Sequence, residues 1–146
     1  MTAARKGITR QEAVRRVLQG MTDDGVGYGA LQTLLEEQFQ ATLQHQSTRL
    51  TALADQVIAA VEPLDARRRQ RVSLVTALLG PQGDMPQLFA LLQEDARSKA
   101  EADWVALEQM VLECKRLNAR NSDLLTEQYS IMQRVLHGEE DTYAPG

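Results

Sequence analysis

The chain has 146 residues, with 16 basic against 20 acidic side chains for a net charge of −4, and a single cysteine. That length suits one domain. The acidic balance excludes a general nucleic-acid binder, whose affinity comes from neutralising phosphates, and one Cys excludes an internal disulfide and a thiolate zinc site. Leu outnumbers Val and Ile together by 20 to 13 and only six residues are aromatic, a composition that favours helices over strands. No apolar run reaches the length needed to cross a bilayer. Arg5 and Lys6 are not followed by an apolar stretch, so no secretory signal is expected and the cytoplasm is the expected location.

In chain order, Thr9 and Glu12 have the spacing of a capping box. Val14, Val17, Leu18 and Met21 follow at the spacing of one helical face, which predicts a short amphipathic helix over about 9–21. Gly25, Gly27 and Gly29 then read as a flexible joint. A helix tethered in this way could fold back over an apolar groove elsewhere in the chain. A long helix is predicted from about residue 30, on Leu31, Leu34, Leu35, Phe39 and Leu43. It continues through the polar patch 44–48, which holds His45, to Leu50, Leu53, Val57, Ile58 and Val61. Pro63 is expected to kink or end it. A further apolar stripe runs from Leu64 to Leu79 and stops at Gly80-Pro81. Asp84 can cap a short helix over about 85–95, with Pro86 in its first turn.

The last helix is predicted over about 97–137. Its seam is Trp104, Leu107, Val111, Cys114, Asn118, Asn121, Leu125, Gln128, Met132 and Val135, in alternating three- and four-residue steps. Met110, Leu117, Leu124 and Ile131 widen that face. Gly138 is expected to end the helix, and the acidic residues 139–146 to form a mobile tail. The division expected is a short helix and joint over 1–29, a helical bundle over 30–138 and a tail over 139–146. The expected fold class is all-α, an up-and-down helical bundle built on a long antiparallel helical hairpin with shorter intervening helices.

No catalytic signature is present. There is no Glu-x-x-His pair for a dimetal bundle site and no Gly-x-x-x-x-Gly-Lys phosphate loop, and Gly25-Val26-Gly27 lacks the third glycine and preceding strand of a dinucleotide site. The chain is therefore read as a non-enzyme needing no metal and no cofactor. Cys114, at a seam position, reads as a small hydrophobe. His137 closes a helix, where a cation favours the dipole. Arg67, Arg68, Arg69 and Arg71 read as a solvated face neutralised by Glu62 and Asp65, or as a docking patch for an acidic partner. Asn118 and Asn121 occupy consecutive seam positions. They either fix register, as a polar seam residue does in coiled coils, or interrupt a surface that accepts another helix.

Residues 116–125, Arg-Leu-Asn-Ala-Arg-Asn-Ser-Asp-Leu-Leu, resemble the Asn-x-x-Asn-Gly-x-Leu-Leu signature of FlgN-type flagellar export chaperones, with Ser122 where Gly is usual. Residues 31–37 are similar to the opening of that family's first long helix. Tyr143 followed by Gly146 is similar to its tail, one residue shorter. The resemblance implies a cytoplasmic type III secretion chaperone that binds the C-terminal amphipathic helices of hook–filament junction proteins. Such a protein prevents premature assembly and delivers its client to the export gate. It implies a client surface around Asn118, Asn121, Leu124, Leu125, Ile131 and Met132, and export-gate docking through Tyr143. The partners expected are thus the junction proteins and the gate, with no nucleic acid and no stable membrane insertion. The alternative is a non-catalytic coiled-coil adaptor or structural component of a secretion apparatus.

Overall fold

A computed structural model describes residues 8–143. The described residues form four helices: α1 (Arg10–Leu43), α2 (Ser47–Leu79), α3 (Met85–Phe89) and α4 (Glu94–Tyr143). The fold is an all-α helical bundle, as the composition requires. Its centre is α1, which packs along both α2 and α4, while α3 bridges α2 and α4 at one end. A long antiparallel hairpin is present, but it pairs α1 with α2 and not, as expected, the first long helix with the last. By contrast α1 and α4 run parallel. The Cys114 thiol donates to the Tyr28 carbonyl, the Asn121 amide to that of Leu35 and the Gln128 amide to that of Thr42, each across a separation of 86 residues. Three contacts one heptad apart at a constant offset fix the register of the two helices.

The expected boundaries are corrected in three respects. The glycine-rich stretch is no joint, because α1 runs through it as one helix of 34 residues. Glycine costs a helix only about 1 kcal/mol per residue, and here packing outweighs that. A Cβ on Gly27 would lie 2.8 Å from Leu64 Cδ2 and 3.0 Å from Arg67 Nη2, so its absence lets α2 close onto α1. Three residues away, buried Asp24 accepts from Arg67 Nε at 2.6 Å and from Arg71 Nη1 at 2.8 Å, tying the same helices together. Consequently residues 9–21 do not fold back over a groove. Val17 and Met21 sit in the core around α3, with Val75, Leu88, Phe89 and Leu107.

The second correction is the corner. The chain turns at Gln44–Gln46, where a continuous helix is expected from the absence of Gly and Pro. His45 takes φ 53°, the left-handed conformation that ends many helices. The Gln46 N–H donates to Ala41 O at 2.9 Å and the His45 N–H to Thr42 O at 3.2 Å, the paired bonds of a Schellman cap with histidine in the usual glycine place. Third, neither Pro63 nor Gly138 ends a helix. Pro63 lies on the exposed side of α2, where water can satisfy the carbonyl it leaves free. The backbone of α4 passes Gly138 and reaches Tyr143, a helix of 50 residues.

The other punctuation is as read. Gly80 adopts φ 88° and closes α2. Asp84 caps α3 with a full capping box to Gln87, and α3 is only five residues long. Thr9 accepts the Glu12 N–H at 3.0 Å. The Glu12 carboxylate turns instead to Arg15, whose hydrogen bond holds its pKa down at about 2. No described helix is long and apolar enough to cross a membrane.

Candidate functional site

The chemistry of this chain lies along α4. Its seam toward α1 is Leu107, Cys114, Asn121 and Gln128, of which the first three are buried. Asn121 is 1% exposed. Its Nδ2 donates to the Leu35 carbonyl at 2.8 Å and to Gln38 Oε1 at 2.9 Å, and its Oδ1 accepts from Arg120 at 3.2 Å. Arg120 also pairs with Glu36 and lies 3.7 Å from the Phe39 ring centroid. Asn121 is thus fully satisfied within the chain, which matches the register role of a polar seam residue. Cys114 is likewise interior. Burial first, and the Glu113 charge second, push its thiol pKa up, so it is a poor nucleophile.

The expected client residues separate into two groups. Asn121 belongs to the α1–α4 joint, and Leu124 is half-buried beside it. Leu125, Ile131 and Met132 are 43%, 44% and 51% exposed. Asn118 is exposed, and its side chain hydrogen-bonds to nothing among the described residues. By contrast no buried polar side-chain atom among them lacks a partner. Tyr143 is the last residue of α4. Its side chain, like residues 144–146, lies outside the described part of the chain.

Two apolar surfaces result. The first is an overhang. At the constant offset, Gln128 meets Thr42 at the last turn of α1, so about 14 residues, or ~21 Å, of α4 extend past the corner. The seam's next member, Val135, has no α1 turn beneath it. Tyr129, Met132, Val135 and Leu136 are all more than half exposed. The second surface is a trough. Because α2 and α4 both pack on α1 but hardly on each other, a gap remains between them. Tyr28, Leu31 and Leu35 of α1 form its floor, Val57 and Val61 of α2 one wall, and Val111 and Asn118 of α4 the other, around a cavity of about 360 Å³. A second cavity of about 310 Å³ adjoins it toward Trp104 and shares Tyr28, Val111 and Lys115.

Two features escape the sequence reading. The arginine cluster is divided: Arg68 and Arg69 pair with Asp65 on the surface, while Arg67 and Arg71 serve buried Asp24. Arg71 also lies 5.4 Å from the Trp104 ring centroid, joining α2 to α4. The only available signal was an acidic residue, Asp24, at a helical core position. The trough's α2 wall was not legible either, since it depends on which face of α2 turns toward α4. No group of residues able to hold a metal ion occurs among the described residues.

The parallel pair of long helices thus leaves an apolar face open. The FlgN protein family model matches residues 13–137. The chain belongs to the FlgN family. It is thereby a flagellar chaperone linked to export and flagellum assembly, and the match takes in α2 and α3 and nearly all of α1 and α4. No curated protein and no solved structure is found to match.

Proposed function

We propose that this FlgN-family chain is a non-catalytic, cytoplasmic chaperone of flagellar type III secretion. Its client is the C-terminal amphipathic helical segment of a hook–filament junction protein, which it holds out of premature assembly and delivers to the export gate. One observation carries the reading: the face of α4 that packs on α1 stays apolar through Leu136, about two turns after α1 has stopped. Exposed apolar patches of this kind mark interaction sites. An amphipathic helix lying on it would anchor at the i, i+3, i+4, i+7 spacing, against Leu125, Tyr129, Met132 and Leu136. The client's own apolar face, otherwise free to self-associate, is covered by the same contact.

Calorimetric titration of the full chain with the C-terminal segment of a junction protein tests this. Saturable binding with a negative heat-capacity change is expected, the mark of apolar burial. A well-folded chain that does not bind the segment would overturn the reading and leave the adaptor alternative. Tyr143 is proposed as the gate contact, on resemblance to the family tail. Tyr143→Ala is then expected to keep client affinity and weaken capture by the export gate. Equal gate affinity in the two proteins would remove that assignment.

A further inference from the structure

We propose that the trough between α2 and α4 is a second seat, which takes a second amphipathic helix of the same exported client and sets that helix's direction. This rests on the chaperone reading above. It adds a partner surface that includes α2.

The trough has the shape of a missing bundle member. Its α4 wall runs from Trp104 to Asn118, about 21 Å or four turns, so it suits a helix of about 14 residues. Its middle is apolar on all three sides. Polar groups stand only at chosen places: Arg71 on the α2 side, already held by Asp24, and two unspent charges on the α4 side. Glu108 and Lys115 line the α4 side, and among the described residues neither forms an ion pair. They lie two turns apart, with negative toward the α3 end and positive toward the corner. A helix carrying a basic and an acidic residue about two turns apart would match them in one direction and meet like charges in the other. Such like-charge contact rejects the wrong arrangement. Asn118, an amide unpaired among the described residues, asks for a hydrogen-bonding side chain at one position and so fixes the register.

The occupant is not a second copy's overhang, the free amphipathic helix that this chain could itself supply. Along the exposed stripe that runs into the overhang, Glu127 and Arg134 follow Leu125 and Met132 by two residues each. That places them about 200° around the helix, on the side away from the apolar stripe. They could not reach Glu108 and Lys115 while the stripe filled the trough. The apolar line is also continuous with the overhang. Val111, Asn118, Leu125 and Met132 recur every seven residues along one side of α4, so two client helices could lie end to end on one rail.

The test uses the full chain and the C-terminal segment of a junction protein, with Val61→Asp on the α2 wall and Lys115→Glu on the α4 wall. Val61 is 41% exposed, so Val61→Asp should leave thermal stability almost unchanged. It is expected to weaken binding by at least about tenfold, as loss of a central apolar contact does. Lys115→Glu is expected to weaken it severalfold at low salt and less at high salt. Wild-type binding that both variants retain would overturn the second seat and leave the client on the overhang alone. Absence of binding by the wild type would instead overturn the chaperone reading itself. A wild type that sediments as a dimer while Val61→Asp is monomeric would assign the trough to a second copy and overturn the proposal.

Discussion

Asp24→Ala is expected to cost this chain about 3 kcal/mol or more of stability and to lower its thermal midpoint by about 6–12 °C, read by circular dichroism. Asp24 is 1% exposed and takes two arginines from α2. Removing it leaves Arg71, with a side chain only 13% exposed, facing the interior without its counter-charge. Breaking a buried pair on one side costs more than the pair itself contributes, because the surviving charge stays desolvated. Arg67, at 24% exposure, can swing further into water and should cost less when its partner goes. Two further variants separate charge from packing. Asp24→Asn keeps acceptor capacity and should fall between the wild type and Asp24→Ala. The triple variant Asp24→Leu, Arg67→Met, Arg71→Met removes all three charges together and should recover much of the loss. A midpoint for Asp24→Ala within about 2 °C of the wild type would show that the α1–α2 joint is held by Gly27 and Leu64 packing alone.

That joint also shows where sequence reasoning stops. Helical spacing found the long apolar stripes, and caps whose chemistry is local were legible: Thr9, Gly80 and Asp84 act on backbone groups within a turn of themselves. Failures came where a distant residue decides. Gly25, Gly27 and Gly29 look like a joint in isolation, yet Gly27 is small because Leu64 and Arg67 must come close. The corner at His45 carries neither Gly nor Pro, and its Schellman bonds need only a residue that tolerates positive φ. The helix-breaking strength given to Pro63 and Gly138 was a local penalty of a few kcal/mol at most. A helix already held elsewhere along its length can absorb it.

The two asparagines make the same point at the candidate site. Their spacing put both on the seam. A difference of three residues on a helix is about 300°, or 60° short of a full turn. That small rotation turns Asn121 into α1, where Leu35 and Gln38 satisfy it, and turns Asn118 toward the trough, where nothing among the described residues does. Only the position of α1 distinguishes them. The Asn-x-x-Asn pattern therefore joins one residue that holds the bundle together to one that faces outward.

The exposed stripe of α4 that runs into the overhang supplies the largest expected effect on binding. Leu125→Glu with Met132→Glu should abolish measurable capture of a junction-protein segment, a loss of about 100-fold or more. Each residue is an exposed apolar anchor, and truncating a central one typically costs more than 1 kcal/mol. A carboxylate does more harm than truncation, since the client would have to desolvate it. Stability should move by less than about 1 kcal/mol, because neither side chain is part of the buried clusters. That contrast is the useful one. A variant of the joint, such as Asn121→Leu, should lower stability first, by leaving Gln38 and Arg120 without their shared partner. Any loss of client affinity there should follow the loss of fold. If the double glutamate variant keeps full affinity at unchanged stability, the free end of α4 is not the client's seat. Binding would then have to be sought in the trough, where Val61→Asp gives the answer.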